Sequence, residues 1–200
     1  MPAIQVRGIP GSGKSWLSRK IIEEGIECYD TDDVIHDTFY RLFKKPEFRQ
    51  LIRESNLAAI NLVNKTSKRA LLRKINLANL NNKFIVIVGV TLDFKKVVDN
   101  CYFIKMSARA LRLSYRRVMN REIQKITDNH QEISNIISEE DIDMNGVMLN
   151  FKINQSLELT MTFKYYKNTY KGALQFETQR GIQALNQSDI LKTILSMKSQ

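Results

Sequence analysis

Cysteine, histidine and proline are scarce in this chain, with two, two and three residues among 200. Cys28 and Cys101 form no disulfide framework and have no metal-ligand spacing, which excludes a small disulfide-stapled scaffold and a zinc module. Both stand beside predicted strands and read as buried free thiols in a reducing, cytoplasmic setting. His36 and His130 are isolated and read as incidental. The longest apolar run, Phe84 to Val90, is far too short to span a bilayer, and no basic leader followed by an apolar stretch opens the chain. Membrane insertion, secretion and a removed transit segment are therefore not expected. Repeats and low-complexity tracts are absent as well.

An apolar fraction of 43% over 200 residues is enough for a full core. Length favours a single domain over 1–200, with 127–200 as a lid or C-terminal extension of weaker pattern. The formal charge of +10 is unevenly spread: Arg41 to Lys83 holds 11 basic residues against 2 acidic, and Lys95 to Lys125 holds 9 against 2. Asp128 to Asp143 is acidic. This distribution fits an electropositive cleft for phosphate-bearing ligands or nucleic acid, and equally a set of solvated helix faces.

Ala3 to Arg7 reads as a strand feeding a glycine-rich turn, followed by a helix over Lys14 to Glu24 with Trp16, Leu17 and Ile21 toward the core. A second strand, Ile26 to Tyr29, ends at Asp30, Asp32 and Asp33, with a helix starting near Val34. Pro46 interrupts the next region. Helical spacing then runs over Phe48 to Asn64 and again from Ser67 to about Leu80. Phe84 to Val90 has the continuous β-branched character of a parallel strand buried on both faces. Tyr102 to Met106 is a fourth strand and Ala108 to Ile126 a long arginine-rich helix. Asp128 to Asn150 reads as loop or short helices, and Phe151 to Tyr170 fits helix or strand. Ala173 to Phe176 fits a last strand, and Ser188 to Ser196 a C-terminal helix capped by Ser188. The fold class expected is α/β: a three-layer α/β/α arrangement around a mostly parallel five-stranded sheet.

The chemistry is carried by Gly8-Ile9-Pro10-Gly11-Ser12-Gly13-Lys14-Ser15, which satisfies G-x-x-x-x-G-K-[ST] between a strand and a helix. Glycines let successive N–H groups turn inward toward phosphate oxygens, and the helix start adds the positive end of its dipole. Lys14 is placed for the β- and γ-phosphates of a nucleoside triphosphate and the Ser15 hydroxyl for magnesium. Gly8, Gly11, Ser12, Gly13 and Trp16 complete the expected nucleotide-binding set. At the end of the second strand, a carboxylate of Asp30, Asp32 or Asp33 could take a proton from an attacking hydroxyl or hold magnesium. Capping of the following helix by Asp32 or Asp33 is the structural alternative.

These residues resemble the P-loop kinases of small molecules, nucleotides and nucleic-acid ends. The loop and Asp30-Thr31-Asp32 are similar to the shikimate kinases, in which the first Asp serves the magnesium and the second the acceptor hydroxyl. Pro46-Glu47-Phe48-Arg49 resembles the substrate-arginine segment of the same kinases. Ile52 stands where a glutamate is expected, however, and Val88-Gly89-Val90-Thr91 lacks the triple glycine. Both departures argue against shikimate as the acceptor. Gly11-Ser12-Gly13-Lys14-Ser15-Trp16 with Thr31-Asp32-Asp33 also resembles the polynucleotide 5′-hydroxyl kinases, and in both alignments Asp32 falls nearest the acceptor hydroxyl.

In nucleotide kinases a helix after the fourth strand leads into a lid whose arginines neutralise the transferring phosphoryl group. Arg112, Arg116, Arg117 and Arg121 are similarly placed, with Arg116 and Arg121 the chosen pair. The third strand ends in Val88-Gly89-Val90 with no acid, which argues against motor and helicase types; Asp93, slightly beyond, is a possible substitute. Tyr165, Tyr166 and Tyr170 fit a packed helix face better than a base-stacking surface. The resemblance thus implies an ATP- and Mg2+-dependent phosphotransferase acting on a small acceptor, in the first place a nucleoside or nucleotide. Lys14, Asp30, Asp32, Arg116 and Arg121 are its catalytic residues, with Ser15 and Asp30 at the metal. A polynucleotide 5′-hydroxyl kinase, with nucleic acid as partner, and an ATP-binding regulator or scaffold are the alternatives.

Overall fold

The computed structural model describes residues 3–134 and 162–198. Five strands, β1 (Ala3–Arg7), β2 (Glu27–Asp30), β3 (Ile85–Val88), β4 (Asn100–Ile104) and β5 (Gln183–Leu185), form one sheet in the order β2-β3-β1-β4-β5. Every pairing is parallel. The helices are α1 (Lys14–Glu23), α2 (Thr31–Phe43), α3 (Pro46–Glu54), α4 (Asn56–Leu80), α5 (Ala108–Ser134), α6 (Phe163–Gln179) and α7 (Gln187–Lys198). A glycine-rich loop joins the central strand to α1 within an all-parallel five-stranded sheet flanked by helices, the three-layer α/β/α arrangement expected from the sequence. No helix among the described residues is long and apolar enough to cross a membrane.

Alternation along the strands sorts the core into layers. Ile4, Val6, Val86, Val88, Tyr102 and Ile104 face one side, against Leu17 and Ile21 of α1 and Ile190 and Ile194 of α7. On the other side Ile85 and Ile87 meet Leu71, Ile75 and Ala78 of α4, while Phe103 meets Leu111 and Val118 of α5 and Tyr166 and Tyr170 of α6. Between these two apolar clusters, β1 presents Gln5 and Arg7, both buried. Buried polar groups persist only when hydrogen-bonded. Gln5 Nε2 accordingly donates to Leu92 O at 2.6 Å, and Gln5 Oε1 accepts from Phe94 N at 2.9 Å. Arg7 Nε donates to Glu177 Oε1 of α6 at 2.8 Å, and Arg7 Nη1 lies 3.6 Å from Asp93 Oδ1. Arg180 closes the ring by pairing with Asp93 and, at 3.2 Å, with Glu177 Oε2. Two arginines and two carboxylates thus bind the loop after β3 and helix α6 to the residue that immediately precedes the phosphate loop.

Several elements differ from the sequence expectations. Pro46 opens α3 at N1, where its missing N–H is no loss. The real break comes at Ser55, whose hydroxyl caps α4 by accepting from Ala58 N at 3.2 Å. The two helices expected after Pro46 are therefore divided at Ser55 instead of between Asn64 and Ser67, and α4 runs unbroken for 25 residues. Ala173 to Phe176 lies inside α6, and the last strand is Gln183–Leu185. Asn186, not Ser188, caps α7, its Oδ1 accepting from Asp189 N at 2.9 Å. The second strand ends and α2 begins at Thr31, three residues before Val34. Within the segments read as loop and as helix or strand, 135–161 lies outside the described residues.

The two thiols are free and partly buried. Desolvation raises the Cys28 thiol to about 11, against a lowering contact from Ser18, and that of Cys101 to about 12. At neutral pH Cys28 is expected to react with a thiol reagent about 100-fold, and Cys101 about 1000-fold, more slowly than an ordinary cysteine, because the thiolate is the nucleophile. Timed labelling of the native protein against the urea-unfolded chain checks this.

Candidate active site

The turn from β1 into α1 is short because Ser12 N donates back to Ile9 O at 3.1 Å. Gly13 is the N-cap of α1 with φ +87°, a left-handed conformation that L side chains rarely adopt. Lys14 is buried, and its Nζ donates to Gly8 O at 3.0 Å and Ile9 O at 3.3 Å. Its ammonium thus lies inside the curl of its own loop. Burial lowers its pKa; Asp32 and then Asp30 pull it back up, and Arg121 lowers it further. Those four charged groups therefore share one electrostatic neighbourhood. Ser12 Oγ is buried without a hydrogen-bond partner among the described residues. Ser15 and Trp16 are exposed on the first turn of α1.

Asp30 is held at the carboxyl end of β2, in register with Val88 of β3. It caps α2 itself, Oδ1 accepting from Asp32 N at 2.9 Å. Asp32 and Asp33 fall in the first helical turn instead of capping it. Desolvation raises the Asp30 pKa; the Asp32 N–H opposes this, Asp32 and Asp33 reinforce it, and Lys14 opposes it. Thr31, fully buried, fixes this corner against Gly89, which takes φ +147° just past β3. A Cβ on Gly89 would collide with Thr31 Oγ1 and come within 2.7 Å of Thr31 Cβ. Gly89→Ala is therefore expected to lower stability by about 2–4 kcal/mol, from backbone strain plus overpacking. Urea unfolding measures it; a loss below about 1 kcal/mol would show that the corner yields easily.

On the opposite flank of the loop, beyond β4, lies a cavity of about 460 Å³. Its walls include Gly11 and Gly13 of the loop, Lys105, Leu113 and Arg117 of α5, and Gln187 of α7. Gln187 Nε2 donates to Ser12 O at 2.5 Å. Helix α5 reaches the loop at Gly11, where a Cβ would lie 2.5 Å from Ser114 Oγ and 2.8 Å from Val118 Cγ2. Tyr166 of α6 secures the same place, its hydroxyl donating to Pro10 O at 2.6 Å and lying 2.6 Å from Ser114 Oγ.

These contacts set the phase of the arginine helix. Ser114, Arg117 and Arg121 follow one another at i+3 and i+4 on the loop-facing side. Arg116 stands about 160° from Ser114 around the helix and is exposed. Of the two chosen arginines the structure brings Arg121 to the site, and it adds Arg117 where Arg116 was expected. Tyr166 and Tyr170 are buried, as a packed face requires, while Tyr165 is exposed. Arg49 does not face the loop: its Nη1 donates to Phe43 O at 3.1 Å and Lys44 O at 3.3 Å, closing the end of α2. Asp93 is taken up by the arginine network. Burial raises its pKa, but the Lys95 N–H, Arg180 and Arg7 outweigh that and lower it overall.

Among the described residues no group of three or more His, Cys, Asp or Glu could hold a metal by itself. Ser15 and Asp30 supply oxygen donors beside the loop, a set that suits magnesium carried on phosphates.

No protein-family model and no curated protein matches the chain. Among solved structures it is similar to shikimate kinase from Aquifex aeolicus vf5, at 14% identity over 96% of this chain and 94% of that one, with a TM-score of 0.47. It is also similar to shikimate kinase from Bacteroides thetaiotaomicron, at 14% identity over 84% and 82% of the two chains, TM-score 0.38. TT1252 from Thermus thermophilus matches at 18% identity over 87% and 96%, TM-score 0.39.

Proposed function

We propose that this chain transfers the γ-phosphoryl group of ATP, with magnesium, to a hydroxyl or phosphate of a small acceptor, in the first place a nucleoside or nucleotide. The observation that carries the reading is the two-sided layout of the loop. A cavity of about 460 Å³ opens on the β4 side, within the range of small-molecule sites. The carboxylates Asp30 and Asp32 stand at the end of β2 on the other. A triphosphate crossing the loop would place its nucleoside in the cavity and its terminal phosphate toward the carboxylates.

The loop N–H groups and Lys14 hold the phosphates, Lys14 exchanging its two carbonyl contacts for phosphate oxygens. Ser12 Oγ, buried and unpartnered among the described residues, is a further polar group that a phosphate oxygen would satisfy. Ser15 and Asp30 hold magnesium, which when bound neutralises charge developing on the phosphates. Asp32, exposed and one residue past the buried Thr31, receives the acceptor's proton; for a phosphate acceptor it binds instead. Arg121 stabilises charge on the transferring group, and Arg117 lies against the nucleoside side. Phosphoryl transfer is mostly a matter of positioning and electrostatics, which is what this arrangement supplies.

The test is transfer from γ-labelled ATP with magnesium to a panel of nucleosides, nucleoside monophosphates and 5′-hydroxyl DNA and RNA oligonucleotides. Label on one class identifies the acceptor. Nucleotide binding without transfer to any member would replace the kinase reading with that of an ATP-binding regulator.

A further inference from the structure

Helix α4 carries Lys65, Lys68, Arg69, Arg73 and Lys74 and no acidic residue in its 25 positions. The carboxylate gap is wider still: none occurs between Glu54 and Asp93 in the sequence. Solvated helix faces usually interleave both signs, as α1 does with Lys20 paired to Glu23. All five cations of α4 are exposed. Lys68 lies over the Phe94 ring at 5.9 Å and Lys74 over that of Tyr29 at 5.4 Å. No carboxylate pairs with Lys65, Arg69 or Arg73 among the described residues, although α2, packed against α4, carries Asp33 and Asp37.

Lys65, Arg69 and Arg73 follow at i, i+4 and i+8, a line about 12 Å long on one face. Like charges at this spacing destabilise a helix. Nor do they complement the helix dipole, since the last turn of α4 has no basic residue. Asn61 and Asn76, also exposed, lie on the same face. Val63, Leu71, Ile75 and Ala78 of the helix are spent in the core, while Leu62 and Leu80 stand exposed among the cations.

We propose that the Lys65–Arg69–Arg73 face of α4 is a docking surface for single-stranded nucleic acid, the cations on its phosphates and the asparagine amides on its sugars and base edges. The surface lies on the outer side of the helical layer, apart from the phosphate loop. It is independent of the phosphotransfer reading and needs no nucleotide.

The experiment is fluorescence anisotropy of a labelled 20-nucleotide single strand, as DNA and as RNA, without ATP, from 50 to 200 mM salt. Three phosphate contacts give a slope of log K against log salt of about −2. The triple variant K65Q/R69Q/R73Q is expected to lose that slope and to bind at least about 10-fold more weakly at 50 mM salt. The control triple R19Q/K20Q/K192Q, on the other side of the sheet, keeps both. The α4 triple should melt at the same temperature as the parent or higher, since repulsion is removed; if it fails to fold, R69Q alone must make the slope less negative by about 0.7. Absence of binding at 50 mM salt, equal weakening by the control triple, or binding of anionic phospholipid vesicles but not of oligonucleotides would each overturn the proposal.

Discussion

Replacing Glu177 with alanine is expected to lower the free energy of unfolding by about 3–5 kcal/mol, the usual result of removing one member of a buried ion pair. The Glu177 and Arg7 side chains are 3% and 6% exposed, so solvent cannot take over the missing partner. The large term is the arginine left behind, a permanent charge with no titration by which to escape. Arg180 cannot compensate, because it also loses an acceptor. A double change, Arg7→Met with Glu177→Leu, removes both charges and should recover most of the loss, as buried pairs commonly exchange for apolar residues at little cost. Urea unfolding of the two variants separates the possibilities. If the double change is as damaging as the single one, the pair is valued for its shape and not for its charge. The same variants report on the loop, since Arg7 directly precedes Gly8 and α6 grips the turn again through Tyr166 and Pro10.

That network shows where sequence reasoning stopped. The phosphate loop and the acidic corner were readable because their constraints fall on consecutive residues: glycines where the chain must curl, a lysine and a serine at the helix start, and carboxylates at a strand end. The central strands were readable because burial on both faces leaves a continuous apolar run. Gln5 and Arg7 interrupt that pattern in β1, and what satisfies them is 85 to 170 residues away in sequence, beyond any local signal. β5 has three residues and no measurable period, so the apolar Ala173 to Phe176 stretch took its place in the reading. That stretch continues a helical stripe through Tyr166, Tyr170 and Glu177, visible only once Tyr166 is known to be buried. That Arg117 and not Arg116 lies on the loop-facing side was out of reach for a related reason. Spacing relates residues to one another around a helix but not to the loop, and phase came from Ser114, a small residue at the point of closest approach to Gly11. Asp30 was assigned to the metal through the resemblance to the shikimate kinases, and it is also the cap of α2.

Lys14→Ala is expected to reduce turnover at least about 100-fold, the scale of losing a preorganised charge at a developing oxyanion, and to weaken nucleotide binding with it. Stability should move the other way. Burial lowers the Lys14 pKa below its ordinary value, so the fold disfavours the ammonium that the unfolded chain carries freely. The penalty is full at pH values below the native pKa of Lys14. It fades as pH rises from there to the ordinary lysine range, where both states are neutral. At neutral pH the alanine variant should therefore unfold at equal or higher urea, and its advantage should shrink as the medium becomes alkaline. Asp32→Asn provides the contrast: exposed and two residues past the end of β2, it should leave nucleotide affinity intact and lower transfer about 100-fold if it is the base. A loss below about tenfold would remove it from that role. If Lys14→Ala instead destabilised the protein and left nucleotide affinity unchanged, the ammonium would be a structural plug of its own loop and the phosphate assignment would fall.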